Sequence, residues 1–173
     1  MKKPLSAVAL LSATSAAALA DHPLPPVSTQ VEAQIRTLVS SITLAADRGA
    51  YDLAEQAFAP KVVIHYTSVW GGEPVTTTPA ELMISWQGIL PGFDTTWHEL
   101  GPVTISDDGN SAKAHAFVDA RHWIGEDLWR PVGSYHWDVE RIDNTWRVTR
   151  MEFEMTQELG DRALAAQAMD RAE

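Results

Sequence analysis

There is no cysteine anywhere in the 173 residues, which removes disulfides, thiolate metal sites and cysteine nucleophiles together. Export into an oxidising compartment is compatible with that absence and not required by it. Cations are also few: 13 Lys and Arg stand against 23 Asp and Glu, a formal net charge of -10. Such a surface repels phosphate backbones, so no nucleic-acid partner is expected. The one long apolar run, residues 5–18, falls short of the ~20 residues that span a bilayer, and no other stretch approaches it. No internal repeat, heptad run, P-loop, G-x-G-x-x-G or G-x-S-x-G occurs, so nucleotide-binding and hydrolase signatures explain nothing here. The six histidines form no H-x-x-x-H or H-E-x-x-H, and a metal site is not expected.

What is present begins with a leader. Lys2 and Lys3, the apolar run and Ala18-Leu19-Ala20 are the three parts of a secretory signal peptide over residues 1–20. The mature chain would start at Asp21, with a proline-rich tether over 21–27, as a soluble periplasmic or secreted protein. The remaining length suits one domain, residues 28–157, with a tail over 158–173.

Apolar residues Val31, Ile35, Leu38, Ile42 and Ala45 share a helical face behind a Thr29–Glu32 capping box, predicting a helix that ends near Arg48-Gly49. A second helix is expected over 51–58, closed by Pro60. Residues 61–67 alternate as a strand, and Gly71-Gly72 turns it into a weak partner over 74–76. Thr78-Pro79-Ala80-Glu81 starts a third helix running to about residue 90. From there the chain reads as sheet: strands over 99–106 and 112–124 joined by Asp107-Asp108-Gly109-Asn110, a loop through Pro131, then 133–142 and 145–155. The tail is alanine-rich and compatible with a helix, but its weak apolar stripe keeps it out of the expected core. The order predicts an α+β fold with helices on one face of a curved, mostly antiparallel sheet.

Strand 112–124 puts Ala112, Ala114, Ala116, Val118, Ala120 and His122 on one face, and the charged residues, with Phe117 and Trp123, on the other. The small apolar face belongs under the helices, so His122 points inward. The outward aromatics suit a subunit interface, with a dimer and a trimer both open. Seven tryptophans are many for this length, and an aromatic excess suits the wall of a pocket for a ring-containing ligand.

The element order, with Ala46-Asp47-Arg48, Thr96-Trp97-His98-Glu99-Leu100-Gly101, Gly133-Ser134-Tyr135 and the run from Glu140 to Val148, resembles the SnoaL-like branch of the nuclear transport factor two-like superfamily. The resemblance spans roughly residues 31–155 and implies a cone of helices on a bent sheet with a pocket at its open end. Among its members, scytalone dehydratase and hexachlorocyclohexane dehydrochlorinase use a histidine held by an aspartate, and the matching positions here are His98 and Asp47. The dehydratase pattern adds a second histidine, matching His122, and a strand-one tyrosine, matching Tyr66. The epoxide-hydrolase version of the fold needs inward carboxylates and an arginine, whereas Asp119 and Arg121 point outward.

The implied activity is a cofactor-independent lyase or isomerase, dehydratase-like, acting on a small ring-containing molecule. A neutral imidazole has a pKa near the working pH, and a carboxylate on its other nitrogen fixes the tautomer. Expected substrate-binding residues are Trp86, Trp97 and Trp137, with Arg150, which shares the Trp146–Val148 face, for an anionic group. Bland alternatives stay open: a non-catalytic binding pocket, Asp47-Arg48 as a solvated helix end, Tyr66 and His122 as satisfied core residues, and Arg150 reaching water. On an ideal wheel Asp47 lies off the apolar stripe, so it reaches a pocket only if the helix bends or ends before Gly49.

Overall fold

Packing decides the helix lengths more than local propensity does. The computed structural model describes residues 29–173; the expected leader and tether lie outside the described residues. Helix α1 (Thr29–Asp47) buries Ile35, Val39, Ile42, Thr43, Ala45 and Ala46, the i, i+4, i+7 spacing of one face. Its last turn tightens: Arg48 and Gly49 donate to carbonyls three residues back, and Gly49 takes φ 63°. Helix α2 (Tyr51–Glu55) is shorter than expected, because Phe58 and Ala59 are buried as the start of strand β1 (Phe58–His65). Pro60 lies inside that strand, in the irregular stretch between the Phe58 and Val63 pairings, where no ladder bond is asked of it.

A one-turn helix, α3 (Thr67–Trp70), follows β1, with Tyr66 as its cap residue rather than as a strand residue. Strand β2 (Val75–Thr77) pairs antiparallel with β1. Helix α4 (Pro79–Gln87) has the full capping box: Glu81 N–H donates to Thr78 Oγ1 at 3.3 Å, and Thr78 N–H donates to Glu81 Oε2 at 3.0 Å. It stops at Gly88, short of residue 90, and a separate 3-10 turn spans Leu90–Gly92.

The strand expected over 99–106 is two strands, β3 (Thr95–Leu100) and β4 (Thr104–Asp107), separated where Pro102 has no N–H to pair. Both pair with β5 (Ser111–Ile124), which pairs with β6 (Asp127–Ile142), which pairs with β7 (Thr145–Gly160). Strands β6 and β7 are longer than expected. Pro131 lies inside β6, and its cost is visible as missing β5 partners between Asp119 and His122. The seven-stranded sheet runs β2-β1-β7-β6-β5-β3, with β4 beside β5, and only β1–β7 is parallel. The α+β architecture with a curved, mostly antiparallel sheet is therefore present.

Every inward position named on β5, from Ala112 to His122, is buried. The tail is not outside the core. Helix α5 (Ala163–Ala172) buries Leu164, Ala165 and Ala168 and packs on the 3-10 turn. A Cβ on Gly92 would stand 1.8 Å from the Ala168 carbonyl oxygen, so the backbones touch and only small residues fit between them. That is why the stripe is weak in hydrophobicity yet fully used. No helix among the described residues is long and apolar enough to cross a membrane.

Candidate active site

Asp47 sits in the tightened last turn of α1, where the partial negative charge of a helix C-terminus disfavours a carboxylate. Three donors from β3 offset this. His98 N–H donates to Oδ2 at 2.8 Å, Thr96 Oγ1 donates to Oδ1 at 2.9 Å, and His98 Nδ1 lies 2.6 Å from Oδ1. Strand β3 ends the sheet beyond β5, so its outer N–H row is unpaired and the carboxylate occupies part of it. Burial works to raise the Asp47 pKa, but the His98 and Thr96 hydrogen bonds and the His98 charge outweigh it and hold the carboxyl below its usual range. With side-chain exposures of 10% and 11%, His98 and Asp47 are nearly dry. Nδ1 is committed to Asp47, which leaves Nε2 for a bound molecule.

His98 lines a cavity of about 120 Å³ between α1, α3, α4 and the inner sheet face. Tyr66, Trp86 and His122 line it too. His122 meets the His98 ring edge-on, with centroids 5.2 Å apart, and lies 4.9 Å from both Phe93 and Trp129. Burial, reinforced by the neighbouring His98, lowers its pKa to about 3, against a hydrogen bond with the Trp129 backbone. The ring is thus neutral at ordinary pH. Its Nδ1 is buried with no partner among the described residues. The Tyr66 hydroxyl donates only to the Met151 sulfur, at 3.7 Å, a weak acceptor that a ligand oxygen would readily replace. Burial raises the Tyr66 pKa, and it raises that of Tyr135 as well.

The other expected binding residues lie elsewhere. Trp97 is 54% exposed, because its neighbour His98 points inward and strand side chains alternate. Trp137 is buried beside Tyr135, 5.2 Å between centroids, and does not reach this cavity. Arg150 points outward, contrary to the face it shares with Val148 on an ideal strand. Asp138 pairs with Arg150 but Val139 pairs with Val148, so Thr149 is an extra residue that flips the alternation and turns Met151 inward. Arg150 instead donates to Glu152 at 2.8 Å and contacts His65 Nδ1 at 2.7 Å. Asp119 is outward and clamped by Arg130 and Arg121, which pull its pKa down to about 2.

Several contributors were not singled out in the sequence. Thr96 shares the inward face of β3 with His98, a spacing of two that could have flagged it. Phe93, Trp129, Tyr135 and Met151 also line the cavity, and of these only Tyr135 has an inward strand phase in the sequence that hints at it. Among the described residues no group of three or more His, Asp or Glu side chains is placed to hold a metal ion.

These features define an α+β cone whose interior cavity has aromatic walls and an aspartate-bound histidine on one side. The chain belongs to the SnoaL-like domain family, which matches residues 28–152. No curated protein matches the sequence. Among solved structures, the Kfla4162 protein from Kribbella flavida aligns with a TM-score of 0.74 and 24% identity, covering 78% of this chain and 96% of that one. A candidate scytalone dehydratase from Novosphingobium aromaticivorans aligns at 0.65 and 16% identity, covering 76% and 87%. A hexachlorocyclohexane dehydrochlorinase from Novosphingobium barchaimii aligns at 0.66 and 12% identity, covering 77% and 91%. At these identities the likeness establishes the fold.

Proposed function

We propose that the protein is a cofactor-independent, dehydratase-like lyase or isomerase that removes a proton from a small ring-containing organic molecule. The observation that carries this is the 2.6 Å contact between Asp47 and His98 at the wall of an aromatic cavity. Asp47 holds the imidazole with Nε2 free, and its charge stabilises the imidazolium formed when Nε2 takes the substrate proton. Tyr66 is the donor to the departing oxygen, since its hydroxyl has only a sulfur acceptor to give up. His122 is neutral, and with the Trp129 backbone taking one ring nitrogen its Nδ1 accepts rather than donates, which suits holding a substrate hydroxyl. Trp86 supplies a wall for the ring.

His98→Ala tests the reading. Loss of the base removes the ~10²–10⁴-fold that general base catalysis contributes, while binding of a ligand found by thermal shift persists. A second reading, a non-catalytic binding pocket, is favoured by the absence of any Lys, Arg, Asp or Glu among the described residues lining the cavity. Ring compounds that bind and are never converted, with dehydratable and isomerisable ones among them, would decide for it. Residues 1–20 support a periplasmic or secreted location, and a mass beginning at Asp21 in protein recovered from cells is the expected result.

A further inference from the structure

The reaction cavity is too small to be the whole binding site. At about 120 Å³ it is comparable to an apolar cavity of roughly 150 Å³ that takes up one benzene ring, and no larger group fits inside. Beside it, between α3, β2 and α4, lies a second and larger groove of about 520 Å³. The two are not independent: Tyr66, Trp70, Trp86 and Ile89 line both. Trp70 stands at the outer side of this shared wall, 47% exposed although it is one of the largest apolar side chains in the protein. Its ring lies 5.7 Å from Trp129 within and carries Arg162 at 5.6 Å without.

The charges along this path also bear on what it takes. Of the described residues lining the cavity or the groove, none is Lys or Arg, and the only carboxylate is Glu73, at the outer groove. An anionic substrate would lose its hydration with no cation in the lining to meet it, Arg162 being paired with Glu158 on the outer side of Trp70, at a cost that a wall of indoles cannot offset. The remaining groove surface is mostly apolar, with Val75 on one side and the exposed Ser85 of α4 on the other.

We infer that cavity and groove form one two-chamber site for an uncharged single-ring molecule that carries an apolar extension, the ring beside His98 and the extension past Trp70 into the groove. This rests on the inner cavity being the reaction chamber, and it names the substrate class for that chamber. The partition explains why a chamber that admits one ring shares a wall with a larger apolar trough: the extension supplies affinity that the small inner chamber lacks, and it fixes which end of the molecule faces the base.

The test is calorimetric binding of three non-reacting probes to the full chain: phenol, 4-butylphenol and 3-(4-hydroxyphenyl)propionate. The butyl chain should tighten binding at least about tenfold over phenol, well under the full burial of four methylenes because the groove is open. The propionate should bind no better than phenol. Ser85→Trp and Val75→Trp each fill the groove from an exposed position, and each should abolish the butyl advantage while leaving the phenol affinity within about twofold. Two variants on opposite sides guard against one that misfolds. No butyl advantage in the wild type, an advantage that survives both variants, a propionate that binds as tightly as the butyl compound, or no binding of any probe would each overturn the inference. Because no probe reacts, a negative turnover result with His98→Ala leaves this outcome untouched, and loss of turnover in that variant does not supply it.

Discussion

Replacing His122 by Phe should flatten the stability of the protein between pH 7 and pH 5, because the wild-type residue is a buried base that folding keeps neutral. Its pKa falls from an ordinary 6.5 to about 3, through burial first and the nearby His98 second. The unfolded chain therefore binds a proton across that window and the folded chain does not, so stability rises with pH from about 3 to 6.5 and is lost as the solution is acidified. At pH 5 the cost relative to neutral solution is about 2 kcal/mol, and any folded-state value below roughly 4 gives the same figure. For a domain of this size that corresponds to a melting temperature lower by about 4–8 °C. Phe keeps the ring contacts to Phe93 and Trp129. The lost hydrogen bond with the Trp129 backbone shifts stability equally at both pH values and cancels in the difference. Circular-dichroism melts of both proteins at pH 7 and pH 5, repeated in a His98→Ala background to remove the neighbour, measure the effect. Equal drops in wild type and variant would show that His122 is hydrated and titrates normally, and its burial at the cavity wall would be wrong with it.

Gly92→Ala places a methyl against the Ala168 backbone and should cost about 1–3 kcal/mol, whereas Gly88→Ala, whose nearest neighbour is 3.5 Å away, should cost little; paired thermal melts give the contrast. Thr96→Val removes one of the three donors holding Asp47 and should lower kcat about tenfold with folding intact, read from steady-state rates on a converted compound. On the outer sheet face Phe117 is 50% exposed and Trp97 54%, and we propose that they meet a second copy of the chain; light scattering should show a dimer or trimer that Phe117→Ser with Trp97→Ser dissociates.

Strand phase was the most legible feature of the sequence. The small apolar face of β5 could only lie under helices, and one residue of phase there placed His122 inside and Asp119 outside. The same rule would have removed Trp97 from the expected pocket, since a strand cannot turn two adjacent side chains inward, so that error was avoidable. Arg150 was different in kind. A single extra residue at Thr149 reverses everything beyond it in β7, and no local sequence signal announces a bulge set by what pairs across the sheet. Asp47 was named from the resemblance, but its direction was hidden from the wheel for a related reason: the ideal wheel assumes 3.6 residues per turn, and the last turn of α1 tightens to bonds three residues back. The clear capping box at Thr78 was readable because all its partners lie within four residues.

The C-terminal tail shows how far the site depends on parts of the chain beyond the family match, which ends at residue 152. Trp129 is held by Glu158, which accepts from its indole N–H at 2.7 Å and in turn pairs with Arg162 at 2.8 Å. Arg162 also donates to the Val69 carbonyl and covers Trp70, so one side chain steadies two elements of the cavity wall. Helix α5 then presses on Gly92, and the next residue, Phe93, lies against His122 and Trp129. Arg171 closes the arrangement on Asp94 at 2.6 Å. The dyad is set by α1 and β3, while Trp129, Trp70 and Phe93 of the cavity wall are braced by the tail. Base and wall are therefore held by different parts of the chain: Thr96 and Asp47 fix where the imidazole points, and the tail, through Glu158, Arg162 and the Gly92–Ala168 contact, braces the aromatic side chains around it.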